Sequence, residues 1–146
     1  MTPLDSLCYI IRKKGNSIGF VNGCFDLLHE GHMHLLKEAK KHCDVLFVGI
    51  NCDKSVKEMK GPSRPVKKLA QRIKDLENTG LCDGVFGFYG EEELLDMIIE
   101  IKPDFLIKGD DYKGKNITGA DFVKRKGGVV LFVSIVPGVS TTLLLQ

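Results

Sequence analysis

The chain has 146 residues, of which 43% are apolar and 27% are charged, and its formal net charge is +2. These values suit one globular domain with a single core. The longest apolar run, near 129–136, is broken by Ser134 and is too short to span a bilayer, which excludes a membrane protein of the helical kind.

The amino-terminal segment shows no signal-peptide order of basic head, apolar core and small-residue cleavage site, so we expect a cytoplasmic protein that has no membrane partner. Residues 1–16 are expected to form an amphipathic lead-in with a short helix, and residues 17–146 to form the domain. The five cysteines are scattered and include no C-x-x-C pair, which argues against a disulfide framework and against a zinc cage.

Short apolar runs predict five strands, at 18–21, 44–51, 83–88, 105–107 and 129–135. Apolar side chains at helical spacing predict helices between them: one that begins near His32, one over 66–77 and one that begins near Glu91. One or two helical turns are expected over 53–60. Thr118 and Asp121 resemble a capping box for a further helix, and Ser140 is expected to cap a short last helix over 141–146.

Strands that alternate with helices predict an α/β, Rossmann-like single domain in which helices flank a parallel five-stranded sheet. Such sheets bind ligands at the carboxyl ends of their strands. Four loops follow strands and should meet at that edge: 22–31, 51–65, 108–119 and 137–142.

The stretch from Asn22 to His34 reads NGCFDLLHEGHMH and joins the first strand to a helix. His29 and His32 lie where that helix begins, and a helix start attracts anions, phosphate above all. Gly23 and Gly31 leave room for phosphate to approach the backbone. A pair of helix-capping or core histidines, or a zinc site with nearby cysteines, is the alternative interpretation of the two histidines taken alone.

Together with the preceding G-x-F-D, the segment GCFDLLHEGH resembles the signature of the nucleotidyltransferase superfamily that includes glycerol-3-phosphate cytidylyltransferase and the bacterial heptose 1-phosphate adenylyltransferases. Further segments resemble the heptose enzymes in the same order along the chain. They are NCDKSVKEMKGPSRPVKKLAQR, IKPDFLIKGDDY, ITGADFVKRKGGVV and GVSTT.

The resemblance implies transfer of a nucleotidyl group to a sugar phosphate, with release of pyrophosphate. It implies that His29, His32, Lys60 and Arg72 act on the phosphates, and that Asn51 and Arg64 contact the acceptor. It implies a nucleotide site and Mg²⁺ on the triphosphate, with no metal held by the protein alone. The residues of that site would be Asn22, Gly23, Cys24, Phe25, Asp26, Gly31, Lys108, Gly109, Asp110, Asp111, Ser140, Thr141 and Thr142.

The resemblance also implies a homodimer, and it favours ATP with heptose 1-phosphate over CTP with glycerol 3-phosphate. Asp110 stands where the heptose enzymes more often have glycine, and the Thr-Pro that usually follows their acidic pair is missing after Glu93. Both departures bear on which substrate the protein uses more than on which type of reaction it catalyses. A cytidylyltransferase and a nucleotide sensor without turnover are the alternatives.

Other interpretations of single residues stay open at this point. Asp26 could be a turn residue, Arg64 could pair with an acid, and Ser140 and Thr141 could only cap a helix. A basic block contains no aromatic residue on which bases could stack, which argues against a nucleic-acid partner. Its members are Lys54, Lys57, Lys60, Arg64, Lys67, Lys68, Arg72 and Lys74.

Overall fold

The computed structural model describes residues 1–134 and 143–145. The helices of this part are α1 (Pro3–Lys13), α2 (Glu30–His42), α3 (Asp53–Lys60), α4 (Leu69–Asn78), α5 (Gly90–Ile101) and α6 (Ala120–Arg125). Its strands are β1 (Ile18–Gly23), β2 (Val45–Asn51), β3 (Gly84–Phe88), β4 (Phe105–Gly109), β5 (Val129–Val133) and β6 (Leu143–Leu145). A 3-10 turn over Asp110–Tyr112 follows β4.

The strands form one sheet in the order β3-β2-β1-β4-β5-β6. Strands β1 to β5 are parallel, which confirms the predicted α/β class, and the strand order reverses between β1 and β4. Ligands bind at such a switch point in doubly wound sheets. All five parallel strands end at the same edge, so their loops meet there.

Strand β6 was not predicted and pairs antiparallel with β5. The prediction of a last helix is therefore wrong for residues 143–145. The leucines there have a good helix propensity, but the open edge of β5 offers unpaired backbone groups, and pairing with them outweighs the local preference. The remaining residues of the predicted helix, Ser140 included as its cap, lie outside the described part of the chain.

Two apolar layers cover the sheet, one on each face. Phe20 and Leu106 belong to the layer that α1, α5 and α6 help to form. Val21 and Ile107 belong to the opposite layer, to which α2 and α4 contribute. Consecutive strand residues point to opposite faces, so each strand supplies both layers. Helix α1 begins with a capping box between Thr2 and Asp5, and its Cys8 lies in the core, so the lead-in packs onto the domain.

Two helix starts differ from the predictions. Helix α4 begins at Leu69 rather than near residue 66, because the backbone N–H groups of Val66 and Lys67 donate to Asp26 at 2.8 and 2.9 Å instead. The predicted capping box at Thr118 is wrong, since Gly119 takes the N-cap position of α6 with a φ of 86° and without a side-chain hydrogen bond. No helix in the described residues combines the length and the hydropathy needed to cross a membrane.

Candidate active site

A cavity of about 650 Å³ opens at the carboxyl edge of the sheet. The ends of β1, β2 and β4, the start of α2 and one side of α3 line it. The structure therefore brings together residues that are far apart in the sequence. Eleven residues assigned to the site from sequence line the cavity: Asn22, Gly23, Cys24, Phe25, Asp26, His29, His32, Asn51, Lys60, Arg64 and Lys108.

Five other assigned residues, all within the described part of the chain, do not line the cavity: Gly31, Arg72, Gly109, Asp110 and Asp111. Gly31 lies in the first turn of α2, and its N–H donates to His29 rather than facing the cavity. Asp110 and Asp111 lie in the 3-10 turn after β4. Ser140, Thr141 and Thr142 were also assigned to the site, but they lie outside the described residues.

His29 is the N-cap residue of α2. Its Nδ1 accepts hydrogen bonds from the backbone N–H of Gly31 at 3.0 Å and of His32 at 3.4 Å. Because Nδ1 is an acceptor, the proton of the neutral ring is on Nε2. His29 therefore caps the helix with one nitrogen and keeps the other as a donor, so the capping interpretation holds and is compatible with the functional one.

The ring of His32 stacks on that of His29, with 3.8 Å between the ring centroids and 21° between the planes. Burial lowers the pKa of His32 to about 4, and the neighbouring His29 acts on this pKa in the same direction. His32 is therefore neutral at physiological pH. Its Nδ1 is buried and makes no hydrogen bond of normal geometry among the described residues, although the backbone of Leu27 is close enough to act on the pKa of the ring.

Phe25 holds the other side of His32. Its ring centroid lies 5.2 Å from that of His32, and its φ is 48°, a left-handed value that bulky residues rarely adopt. Such backbone strain costs on the order of 1–3 kcal/mol and persists only where the surroundings enforce it. The strained turn after β1 thus packs an aromatic ring against His32.

Asp26 is 3% exposed and organises the loop before α4. It accepts hydrogen bonds from the backbone N–H of Val66 and of Lys67, and from Nε of Arg64 at 2.7 Å. Burial alone would raise the pKa of Asp26, but these hydrogen bonds lower it to about 2. Asp26 therefore positions the loop before α4, as expected of a turn residue. Arg64 pairs with an acid, and that acid is Asp26, so the two residues form one ion pair at the cavity wall.

Arg72 requires a correction, because the structure does not place it against the phosphates. Its side chain is fully buried. Nε donates to Lys67 O at 2.8 Å, and Nη1 donates to Cys24 O at 2.9 Å and Asn51 O at 2.7 Å. Nη2 donates to Asp53 Oδ1 at 2.7 Å. With these donors occupied, Arg72 joins the loops behind the cavity instead of binding a ligand.

Lys60 and Lys108 supply positive charge from two sides of the cavity. Lys60 is exposed at the last turn of α3, close enough to His32 for its charge to lower the pKa of that ring. Lys108 is buried near the end of β4, and its Nζ donates to Asn22 Oδ1 at 2.7 Å. Asn51 also lines the cavity, and its amide donates to Ser55 Oγ at 2.9 Å, so it is held rather than free.

Sequence reasoning missed part of the cavity wall. Ser55, Glu58 and Met59 share one face of α3, at spacings of three and four residues that the sequence displays. Phe88 ends β3 and Glu91 follows shortly after it, in a connection that was not counted among the site loops. Both groups could have been found from the rule that loops at the carboxyl ends of parallel strands meet.

A metal site built from protein groups alone is not present in the described part of the chain, where no three His, Cys, Asp or Glu side chains cluster suitably. The cavity wall carries hydrogen-bond donors of the imidazole, ammonium and guanidinium kind, which suit anionic oxygens, beside the carboxylates of Asp26, Glu58 and Glu91. The five cysteines are free, and burial raises the pKa of the Cys24 thiol, which does not suit a nucleophile.

Comparison with known proteins gives the family context of this cavity. A family model described as cytidylyltransferase-like matches residues 20–142. The chain is 42% identical over 145 residues to a bifunctional protein HldE of Hyphomonas neptunium, covering 97% of this chain and 30% of that protein. It is 47% identical over 131 residues to the bifunctional protein HldE of Paramagnetospirillum magneticum, covering 90% of this chain and 27% of that protein. The chain thus spans less than a third of these relatives.

A solved structure of a lipopolysaccharide core biosynthesis protein from Thermoplasma volcanium is similar to most of the chain. The TM-score is 0.65 at 28% identity, and the match covers 80% of this chain and 93% of that one. A pantoate-beta-alanine ligase from Francisella tularensis shares the fold, with a TM-score of 0.56 at 19% identity over 94% of this chain and 67% of that one.

Proposed function

Because the chain belongs to the cytidylyltransferase-like family, we propose that it transfers a nucleotidyl group from a nucleoside triphosphate to a sugar phosphate and releases pyrophosphate. ATP is the proposed donor, and heptose 1-phosphate is the proposed acceptor. The observation that carries the proposal is the stacked pair of His29 and His32 at the start of α2, facing a cavity that Lys60 and Arg64 also line. Motifs that resemble heptose 1-phosphate adenylyltransferases support this choice of substrates.

In the proposed reaction, an oxygen of the acceptor phosphate attacks the α-phosphorus in line. A new P–O bond forms, the bond from the α-phosphorus to the bridging oxygen breaks, and the electron pair leaves with pyrophosphate. No covalent bond to the enzyme forms, so catalysis consists of positioning and of stabilising charge. His29 Nε2–H would donate to the phosphate oxygens, and the positive end of the α2 dipole would add to the stabilisation of their charge.

Because the pKa of His32 is about 4, its ring is uncharged at neutral pH, and the positive charge at the phosphates has to come from other residues. His32 acts as a neutral dipole, and the positive charge comes from Lys60 and from Arg64, whose position Asp26 fixes through Nε. Mg²⁺ enters as part of the substrate, bound to the triphosphate by phosphate and water oxygens. Ser140 and Thr141 are kept as proposed contacts of the outgoing pyrophosphate.

The test is a panel of ATP and CTP, each combined with heptose 1-phosphate and with glycerol 3-phosphate, in which pyrophosphate release gives kcat/KM. We expect the highest value for ATP with heptose 1-phosphate. A higher value for CTP with glycerol 3-phosphate would place the chain among the cytidylyltransferases. Tight nucleotide binding without pyrophosphate release from any pair would instead identify a nucleotide sensor.

A further inference from the structure

Lys108 is a buried cation that the family resemblance, like Asn22, assigns to the nucleotide site but that the proposed reaction has not yet used. It is 7% exposed and lines the cavity. Its Nζ donates to Asn22 Oδ1 at 2.7 Å and lies 4.8 Å from the centre of the Tyr112 ring. No carboxylate among the described residues forms an ion pair with it, and residues 135–142 contain no Asp or Glu.

Burying an ammonium group without a carboxylate is costly, so its presence calls for a reason. Burial lowers the pKa of Lys108 to about 8, and the charge of Asp111 opposes this effect. The group therefore remains mostly protonated at neutral pH. An ammonium has three donors and Asn22 accepts one of them, so the cavity holds a cation with donors to spare.

Lys108 is separate from the cations that serve the phosphates. Lys60 is the last residue of α3, which follows β2, and Arg64 lies in the loop after that helix, whereas Lys108 lies in β4, on the other side of β1 in the sheet. Side chains along a strand point alternately to the two faces of the sheet. Asn22 is two residues from Phe20, and Lys108 is two residues from Leu106, so Asn22 and Lys108 lie on the sheet face of Phe20 and Leu106. Helix α2, which carries the histidine pair, packs on the opposite face.

In-line transfer requires the acceptor and the leaving pyrophosphate to lie on opposite sides of the α-phosphorus. If the triphosphate occupies the side of α2, Lys60 and Arg64, the acceptor approaches from the side of Lys108. The cavity wall as a whole also carries Ser55, Glu58 and Thr118, whose hydroxyl and carboxylate groups suit the hydroxyls of a sugar, and Glu58 already accepts a hydrogen bond from the Tyr89 hydroxyl at 2.7 Å.

We propose that Lys108 binds the acceptor, with its ammonium donating to the oxygens of a polyhydroxylated phosphate ester, and that Asn22 positions this ammonium. The proposal rests on the proposed function and extends it, because it assigns the acceptor to one half of the cavity and names the group that selects it. Lys108 is thus a specificity-determining residue, and Asn22 is a positioning residue.

The test compares Lys108→Met with Lys115→Met. Lys115 also lies over the Tyr112 ring, at 5.8 Å, but is exposed and does not line the cavity, so it is a matched control. Loss of a hydrogen bond to a charged group should raise the KM for heptose 1-phosphate about ten- to hundredfold in Lys108→Met. The KM for ATP should stay within about twofold, and Lys115→Met should change neither.

An unchanged KM for the acceptor, or an equal rise in both KM values, would overturn the proposal. Asn22→Ala provides a second reading if Lys108→Met does not fold, and it should raise the acceptor KM selectively. If the wild type releases no pyrophosphate, calorimetric titration with heptose 1-phosphate measures acceptor binding directly and still tests the role of Lys108. If the wild type binds heptose 1-phosphate and Lys108→Met does not, the inference is supported although the proposed reaction fails. If Lys108→Met binds it as tightly as the wild type does, the inference is refuted.

Discussion

The stacked imidazoles of His29 and His32 are the smallest unit on which the proposed chemistry depends. Each is replaced by alanine, with His42→Ala as the control, because His42 lies exposed at the far end of the same helix. Loss of one such donor costs roughly 10²–10³ in rate. We expect falls of that order in kcat for both variants, little change in nucleotide affinity, and normal kinetics for His42→Ala. Near-normal turnover in both site variants would contradict the assignment.

A comparison of Lys60 with Lys67 tests whether one cation at a defined position matters or only the overall positive charge of the basic block. Lys60 lines the cavity, whereas Lys67 Nζ pairs with Asp75 Oδ2 at 3.0 Å on the side of α4. Lys67 is tied to the site through its backbone N–H and C=O, both of which alanine retains. Lys60→Ala should therefore lower kcat/KM at least about tenfold, and Lys67→Ala should leave it within about twofold. Equal losses, measured by pyrophosphate release, would show that the basic block acts as a diffuse field.

At the level of residues, the sequence predicted which side chains come together better than what each one does. The histidines, Lys60 and Asn22 all line one cavity, because motif spacing and the rule of strand ends bring their positions together. The role of Arg72 was wrong, since a sequence shows a charge but not which carbonyl groups will occupy its donors. Asp26 remained ambiguous for the same reason, as its partners come from far along the chain, at Val66 and Lys67.

Among the elements, the connections that Arg72 makes are decisive. Its guanidinium joins the turn after β1, the end of β2, the start of α3 and the loop before α4 through Cys24 O, Asn51 O, Asp53 and Lys67 O. Breaking a buried, paired charge typically costs about 3–5 kcal/mol. The loops joined by these bonds should therefore lose their mutual positions when this residue is removed.

Arg72→Ala should accordingly lower the free energy of unfolding by about 3 kcal/mol or more, and Arg72→Lys should restore only part of it because lysine lacks the planar fork. Urea unfolding followed by circular dichroism measures both. Arg125→Ala is the control, since Arg125 lies exposed at the end of α6 and its loss should cost little stability. A stable Arg72→Ala protein that had lost only triphosphate affinity would return Arg72 to the direct role first expected.

The predicted elements agree with the structure where periodicity is strong and fail where a tertiary partner decides. Apolar runs identified all five parallel strands, and α1, α2 and α5 appeared near their expected positions. Strand β6 and the late start of α4 could not be predicted from the residues of those segments alone. The first depends on the open edge of β5, and the second on hydrogen bonds to Asp26.

For the molecule as a whole, the homodimer implied by the family resemblance stays a prediction. Helices α1 and α5 each keep apolar side chains in solvent, with Leu7 and Ile10 at 43% and 50% exposure and Leu95 and Ile99 at 37% and 40%. Scattered exposed leucines are normal on a monomer, so these residues do not decide the oligomeric state.

The stability of the whole fold should fall in two steps as the pH is lowered from neutrality, because His32 and Asp26 have depressed pKa values in the folded protein. The pKa of His32 falls from 6.5 to about 4, and that of Asp26 from 3.8 to about 2. In each case the unfolded chain takes up a proton at a pH where the folded protein does not. The resulting stabilisation is complete above the unfolded-state pKa and is lost as the pH falls through the folded-state pKa.

The first loss should therefore lie between pH 6.5 and 4 and belong to His32, and the second between pH 3.8 and 2 and belong to Asp26. A tenfold difference in proton affinity between the folded and the unfolded chain is worth at most about 1.4 kcal/mol of stability. Urea unfolding at a series of pH values measures the profile, and His32→Gln should flatten the first step while leaving the second in place. His42→Gln is the control, since that exposed ring should leave both steps unchanged. If the first step survives in His32→Gln, the depressed pKa belongs to another group, and the neutral form assigned to His32 in the proposed mechanism would have to be abandoned.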